Sequence, residues 1–267
     1  MTGKLTKTIT TFILLFFIAL NSSFAISDSE STKVRMLINL MDYIAKDYKM
    51  AVSNGAIVNE FEFGEMTEFS GNASKFYKEL VISNAIKEDY DIVKELDNLQ
   101  SLIQSRGNVT EVKVSADHVK QAIISLDLVS LVPASWPNFA NGKSIFEAEC
   151  ASCHGQAGNG QGSAGVGLSP SPTNFTDTDI MQGISPLQAF NTITLGIEGT
   201  SMRAFTELSS EEIWDLSFYI MQFQFGTQND LVGTSKHEIE LEQLAIMSNE
   251  ELIAENPALD IQKLRTT

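Results

Sequence analysis

The chain holds two cysteines, and they stand three residues apart in Cys150-Ala151-Ser152-Cys153-His154. No other feature constrains the chain as strongly. A disulfide framework needs more cysteines at wider spacing and is excluded. The C-x-x-C-H spacing fits attachment of a c-type haem. Two thiols separated by two residues reach the two vinyl groups on one porphyrin edge and form thioethers. An imidazole directly after the second thiol then swings under the iron. Other uses of the pair fit less well. A zinc site lacks its other two ligands, because His118 and His237 are single and distant. A thioredoxin-type redox pair belongs in a βαβ pattern that is absent here. The reading is one covalently bound haem c, attached at Cys150 and Cys153, with His154 as an axial ligand.

A six-coordinate electron-transfer haem needs a second axial ligand. Met202 is the best candidate. It lies 48 residues after His154, in the loop Gly199-Thr200-Ser201-Met202-Arg203-Ala204-Phe205. The small residues before it allow the backbone to come close to a porphyrin. Met181 sits among polar residues that read as a turn, and Met221 falls inside an amphipathic helix, where methionine usually fills core gaps. A thioether favours ferrous iron and raises the potential, which points to an electron carrier.

The surrounding sequence is all-α. Residues 32–131 carry four apolar stripes at spacings of three and four. They are Leu37, Leu40/Met41, Ile44, Tyr48; then Met66, Phe69, Ala73, Phe76, Leu80; then Ile92, Leu96, Leu99, Ile103; then Val119, Ile123, Leu126, Val129. Asn59 with Glu62 has capping-box spacing. Short polar connections holding Gly55 and Gly107 suit antiparallel neighbours, so the expectation is an N-terminal helical bundle of about four helices. Pro133 and Pro137 break helices and mark a linker at 133–137. From 138 to 227 the chain is rich in Gly, Pro, Ser and Thr and poor in long aliphatic runs, so a large apolar cofactor would complete its core. Here a helix is expected over Asn141 to Glu149, another over Pro186 to Ile197, and a third opened by the Ser209–Glu212 capping box. Residues 228–267 form a short helical tail with a second capping box at Ser248 and Glu251. The division is therefore 26–132 bundle, 138–227 haem domain and 228–267 tail.

Residues 1–25 read as a cleaved signal peptide. Lys4 and Lys7 give a positive start, Ile9 to Leu20 form an apolar run of 12 residues, and Ser23-Phe24-Ala25 supplies small residues for cleavage. The expected location is the periplasm, free or associated with the membrane. The formal charge is −16, and loss of the two leader lysines makes the remainder more negative. A chain this acidic is repelled by phosphate backbones, which excludes nucleic acid as a partner.

The elements around the cysteines resemble the class I cytochrome c domain, with His154 and Met202 on opposite haem faces. In that family the first and last helices cross at a Gly/aromatic contact, which implies that Gly142 and Phe146 meet Trp214 and Tyr219. A narrower resemblance covers most of the mature chain. Residues 36–48 (MLINLMDYIAKDY), Asn54-Gly55, the EMTEF run from Glu65 to Phe69, NTITLGIEGTSM from Asn191 to Met202, and the SNEEL and KLR pieces of the tail are similar to the periplasmic part of the cytochrome c/iron permease fusion family. Members usually continue into a multi-pass permease with R-E-x-x-E motifs. This chain stops before such a region, so the permease is expected as a separate chain. Arg203 departs from the family, which often has proline after the ligand methionine.

The resemblance implies a carrier of single electrons that serves as the periplasmic haem component of an iron-uptake system, not an enzyme. Its partners would be an iron permease or another membrane redox protein, a small redox protein, and iron ions. A general respiratory cytochrome feeding a terminal oxidase or reductase is the second reading, and a helical binding module with haem as a structural core is the third. Glu62, Glu65 and Glu68 recur every three residues. The module has no E-x-x-H of the kind that builds di-iron bundles, so these acids read first as a solvated face.

Overall fold

The computed structural model describes residues 26–197, 199–226 and 239–266. The leader, His237 and the chain between 227 and 238 lie outside the described residues.

Four helices build the N-terminal part: α1 (Asp28–Ala51), α2 (Glu60–Ile82), α3 (Tyr90–Gln104) and α4 (Val109–Ile124). Each starts at a residue that can cap it. Ser27 and Glu30 form a capping box on α1. Asn59, Asp89 and Asn108 accept from the first backbone N–H groups of α2, α3 and α4. This satisfies donors that a helix start leaves open. The Glu62 side chain does not complete the box that the Asn59 spacing predicts; Asn59 caps alone. The helices run up and down, with α1 against α2 and α4, and α3 against both α2 and α4. The apolar stripes meet in the middle, where Leu37, Met41, Ile44, Met66, Ala73, Leu80, Leu99, Ile103, Val119 and Ile123 are buried. Burying a side chain of this size contributes about 1.5–3 kcal/mol. The fourth stripe is shorter as a helix than its spacing predicts. α4 stops at Ile124, Asp127 turns the chain at a φ of 50°, and Leu126 and Val129 pack from the following loop.

One element differs from the helical reading. Strands β1 (Val52–Ser53) and β2 (Ala56–Ile57) form a small antiparallel hairpin. Asn54 and Gly55 both take positive φ, 51° and 75°, as a two-residue hairpin turn requires.

The second part contains α5 (Phe139–Ile145), a π-helical turn (Phe146–Cys150), α6 (Ala151–His154), α7 (Thr178–Met181), α8 (Pro186–Leu195) and α9 (Ser210–Ile220). Among the described residues the tail adds three short helices, α10 (Leu241–Ile246), α11 (Asn249–Glu255) and α12 (Ile261–Thr266). The capping boxes at Ser209–Glu212 and Ser248–Glu251 both form.

Helix α8 joins the two parts by packing on α1 as well as on α9. The Arg35 guanidinium lies 4.9 Å from the Phe190 ring centre, and the hydroxyls of Tyr43 and Thr192 are 3.4 Å apart. In the tail, buried Arg265 donates to the Asn249 side chain and to the Leu244 and Met247 carbonyls, which stitches α12 onto α10 and α11. Glu250 N–H donates to the Gln182 carbonyl and Asn249 to the Gln224 side chain, so the tail lies on the second part.

Candidate functional site

Both cysteines sit where one helix changes its winding. The helix starts at Asn138, whose side chain accepts from Ala140 and Asn141 N–H. It runs through α5, loosens into the π turn at Phe146–Cys150, and tightens again into α6. Single π turns are frequent at functional sites. Gly142 faces α9 so closely that a Cβ there would overlap the Asp215 carbonyl and lie 2.8 Å from the Tyr219 Cβ. Asp215 fastens the crossing by accepting from Asn138 N–H at 2.6 Å and from the Asn141 amide at 2.8 Å. Phe146 is fully buried, 5.8 Å from Tyr219 and 4.8 Å from Phe223. Tyr219 thus makes the crossing the resemblance implies. Trp214 does not: it stacks on Phe190 at 4.4 Å, on the side of α9 that faces α8.

Cys150 and Cys153 are partly buried free thiols. Burial, with the neighbouring Glu149 charge, pushes the Cys150 thiol up to about 12. A thiol-exchange nucleophile needs the opposite, a thiolate near neutral pH.

His154 ends α6. Its Nδ1 lies 3.0 Å from the Thr173 carbonyl. A carbonyl only accepts, so Nδ1 carries the proton and Nε2 is left with a free lone pair. Metal-bound histidines have their other nitrogen fixed in this way. Burial lowers the His154 pKa, opposed by the Thr173 bond, and the neutral ring is the form that can ligate. Phe175 holds the ring flat, stacked at 4.6 Å and 16°. The loop after α6 folds back beneath it. Cβ atoms at Gly162 and Gly165 would collide with the Ser152 and Cys153 carbonyls, so this loop needs residues without side chains to lie against the cysteine helix.

Met202 lies on the loop between α8 and α9. Ile197 N–H donates to the Met202 carbonyl at 2.9 Å, Met202 N–H to the Thr200 hydroxyl at 3.1 Å, and Phe205 N–H to the Ile193 carbonyl at 3.0 Å. Met202 is half-buried, whereas Met181 and Met221 are sealed in the core. His118 is exposed on α4, in the other part of the molecule. Arg203, next to Met202, reaches the cysteine helix through Glu149 at 3.4 Å. Two thiols, an imidazole nitrogen and a thioether form a soft donor set of the kind that holds haem c, and the residues present fit that group.

Sequence reasoning missed the Thr173 carbonyl, the Phe175 stack and the Arg203–Glu149 link. A backbone carbonyl leaves no signal in residue type, and the other two depend on how the loops fold back.

Residues 26–129 match the iron permease-associated 4-helix bundle domain, and residues 139–224 match cytochrome c. The chain joins these two domains. No curated protein matches it. Among solved structures, a chain of the reducing HAO-like protein complex of Kuenenia stuttgartiensis is similar at 26% identity, over 42% of this chain and 60% of that one, with a TM-score of 0.31.

Proposed function

We propose, from a chain that joins a cytochrome c domain to an iron permease-associated helical bundle, that the protein carries single electrons in the periplasm as the haem component of an iron-uptake system. The observation that carries this reading is the joining itself: one polypeptide holds a haem-c donor set and a bundle of the kind found with iron permeases. One C-x-x-C-H, with no other cysteine in the sequence, supports a single covalent haem. Haem c supplies a reversible one-electron couple. The protein residues hold it. Cys150 and Cys153 anchor it through thioethers. His154 offers Nε2, oriented by the Thr173 carbonyl. Met202 would offer a thioether as the second ligand, which would raise the potential. The role is that of a carrier, not an enzyme. The leader Met1 to Ala25 supports export, and among the described residues no helix is long and apolar enough to cross a membrane.

The bundle serves as the docking side. Burial first, then Glu62, Asp47 and Glu68, lifts the Glu65 carboxyl, so these four acids share one face. Tyr43 stands beside that face: Asp47 and Glu65 add to the burial that raises its hydroxyl, and it bonds Thr192 of the haem domain. Ferrous iron or a basic loop of a membrane permease would meet acids next to the junction with the haem domain. Attraction of this kind weakens with salt.

The test is Cys150→Ala with Cys153→Ala. The double variant should show no haem staining after denaturing electrophoresis, and persistent staining would overturn covalent attachment. Purification from membranes with bound haem counted then separates the readings, since recovery with an iron permease supports the iron-uptake role and recovery with a terminal oxidase supports the respiratory one.

A further inference from the structure

We infer that Arg203 is a positioning residue that latches the Met202 loop to the cysteine helix. This rests on the reading of Met202 as the second axial ligand. Arg203 Nη2 lies 2.5 Å from Glu207 Oε1 and 3.4 Å from Glu149 Oε2. Its Nη1 donates to the Ala204 carbonyl at 3.2 Å. The guanidinium also lies 4.1 Å from the Phe205 ring centre, a cation–π contact. These contacts link three pieces of chain. Glu149 belongs to the π turn that ends at Cys150, Arg203 adjoins Met202, and Glu207 lies just before α9. The charge of Arg203 is felt at Cys150 itself, where it opposes the upward push on the thiol. One side chain therefore spans from the loop that offers the thioether to the helix that anchors the porphyrin edge.

The hydrogen bonds of the loop act within it and back to α8. The Ile197–Met202 and Thr200–Met202 bonds tie the loop to itself, and Phe205 ties it back to Ile193 in α8. Among the described residues, the Arg203–Glu149 pair is the ion pair that crosses from the Met202 loop to the cysteine helix. An isolated surface pair contributes little, but a planar guanidinium held by two carboxylates, a carbonyl and an aromatic face is pre-organised and loses less freedom on pairing. The latch lowers the fraction of time in which Met202 is away from the iron. It acts through position and makes no bond to the iron.

The experiment uses the ferric holoprotein and imidazole as the probe. Imidazole binds only when Met202 has left, so its association rate reads the opening of the loop. At low ionic strength, Arg203→Ala should bind imidazole about two- to fivefold faster than wild type. Glu149→Gln should show a similar gain, and the double variant should gain no more than either alone. The difference should shrink at high salt. The thermal unfolding midpoint should stay unchanged, because the three charged side chains are exposed. Association rates in Arg203→Ala equal to wild type at low salt would overturn the latch, as would gains that add fully in the double variant. Failure of the axial-ligand reading shows itself separately, as a wild-type ferric spectrum without the long-wavelength thioether band, and would overturn both.

Discussion

Thr173 contributes one carbonyl, and that carbonyl decides which nitrogen of His154 can bind a metal. The opposite ligand rests on a comparison of methionines. Met181 and Met221 are fully buried and fill the core, while Met202 sits half-buried on a loop held by short-range bonds. Replacing Met202 by alanine should remove the thioether-to-ferric-iron band at the red end of the visible spectrum. The potential should fall by on the order of 100 mV, a modest part of the ~0.8 V that axial ligands span. A bis-histidine spectrum in the wild type would instead point to His118 or His237 and refute the assignment. At this scale the donors of the candidate site were legible, because thioether attachment and axial ligation would need particular side chains at particular spacings. The partners that orient those side chains were not legible. Thr173 acts through its backbone, and Phe175 reaches His154 only because the glycine loop folds back under α6.

Crossing of α5 over α9 is the contact on which the haem domain turns. Gly142 lets the two backbones touch, and Asp215 accepts from both Asn138 and Asn141 across the crossing. Gly142→Ala places a methyl group where the Asp215 carbonyl and the Tyr219 Cβ already stand. Neither neighbour is the free end of a flexible side chain. The variant should lose about 1–3 kcal/mol, the usual cost of overpacking, measured as a lower denaturant midpoint of the holoprotein. An unchanged midpoint would mean that α9 moves away at no cost. Helices with strong period and caps were legible in the sequence: α9 and α11 begin where Ser209 and Ser248 cap them, as their capping-box spacing predicts. Periodicity misled at Leu126 and Val129. A loop can bury the same apolar residues that a fourth helix would, and Asp127 turns the chain before they are reached. Asn54-Gly55 carried a hairpin signal, but the flanking strands are too short to show alternation. Trp214 read as part of the α5 crossing, yet α8 offered Phe190 as a stacking partner.

Three pieces of chain meet around one lysine. Lys120 of α4 pairs with Asp42 of α1 at 2.6 Å, with side chains 5% and 10% exposed. Burial pulls the Lys120 ammonium down, but Asp42 and then Glu251 of the tail outweigh it and leave it above its ordinary value. Glu251 is the reverse case. Burial raises its carboxyl, but Lys120 and the bonds to Ser248 leave it below the ordinary carboxylate value. The cleft between the bundle, α8 and α11 is lined by these groups together with Lys46, Lys113, Asp117 and Glu250. Glu251 and Lys120 therefore attract each other across this cleft. A carboxyl with a depressed folded pKa stabilises above its unfolded value and loses that contribution as pH falls through its folded value. Asp42, which burial raises, works the other way, and its contribution grows as pH falls. Global unfolding therefore mixes opposing signs, whereas local opening of α11 follows Glu251. Below the ordinary glutamate pKa of about 4.5, amide exchange in α11 should speed up as pH falls while exchange in α1 stays slow. Glu251→Gln keeps the reciprocal cap with Ser248, since glutamine also closes a capping box. Its α11 should exchange faster at neutral pH and show little acceleration on acidification, once the intrinsic pH dependence of exchange is removed. If α11 of the variant opens with acid as wild type does, Lys120 does not hold the tail, and the bonds from Glu250 N–H to the Gln182 carbonyl and from Asn249 to Gln224 are what keep it in place.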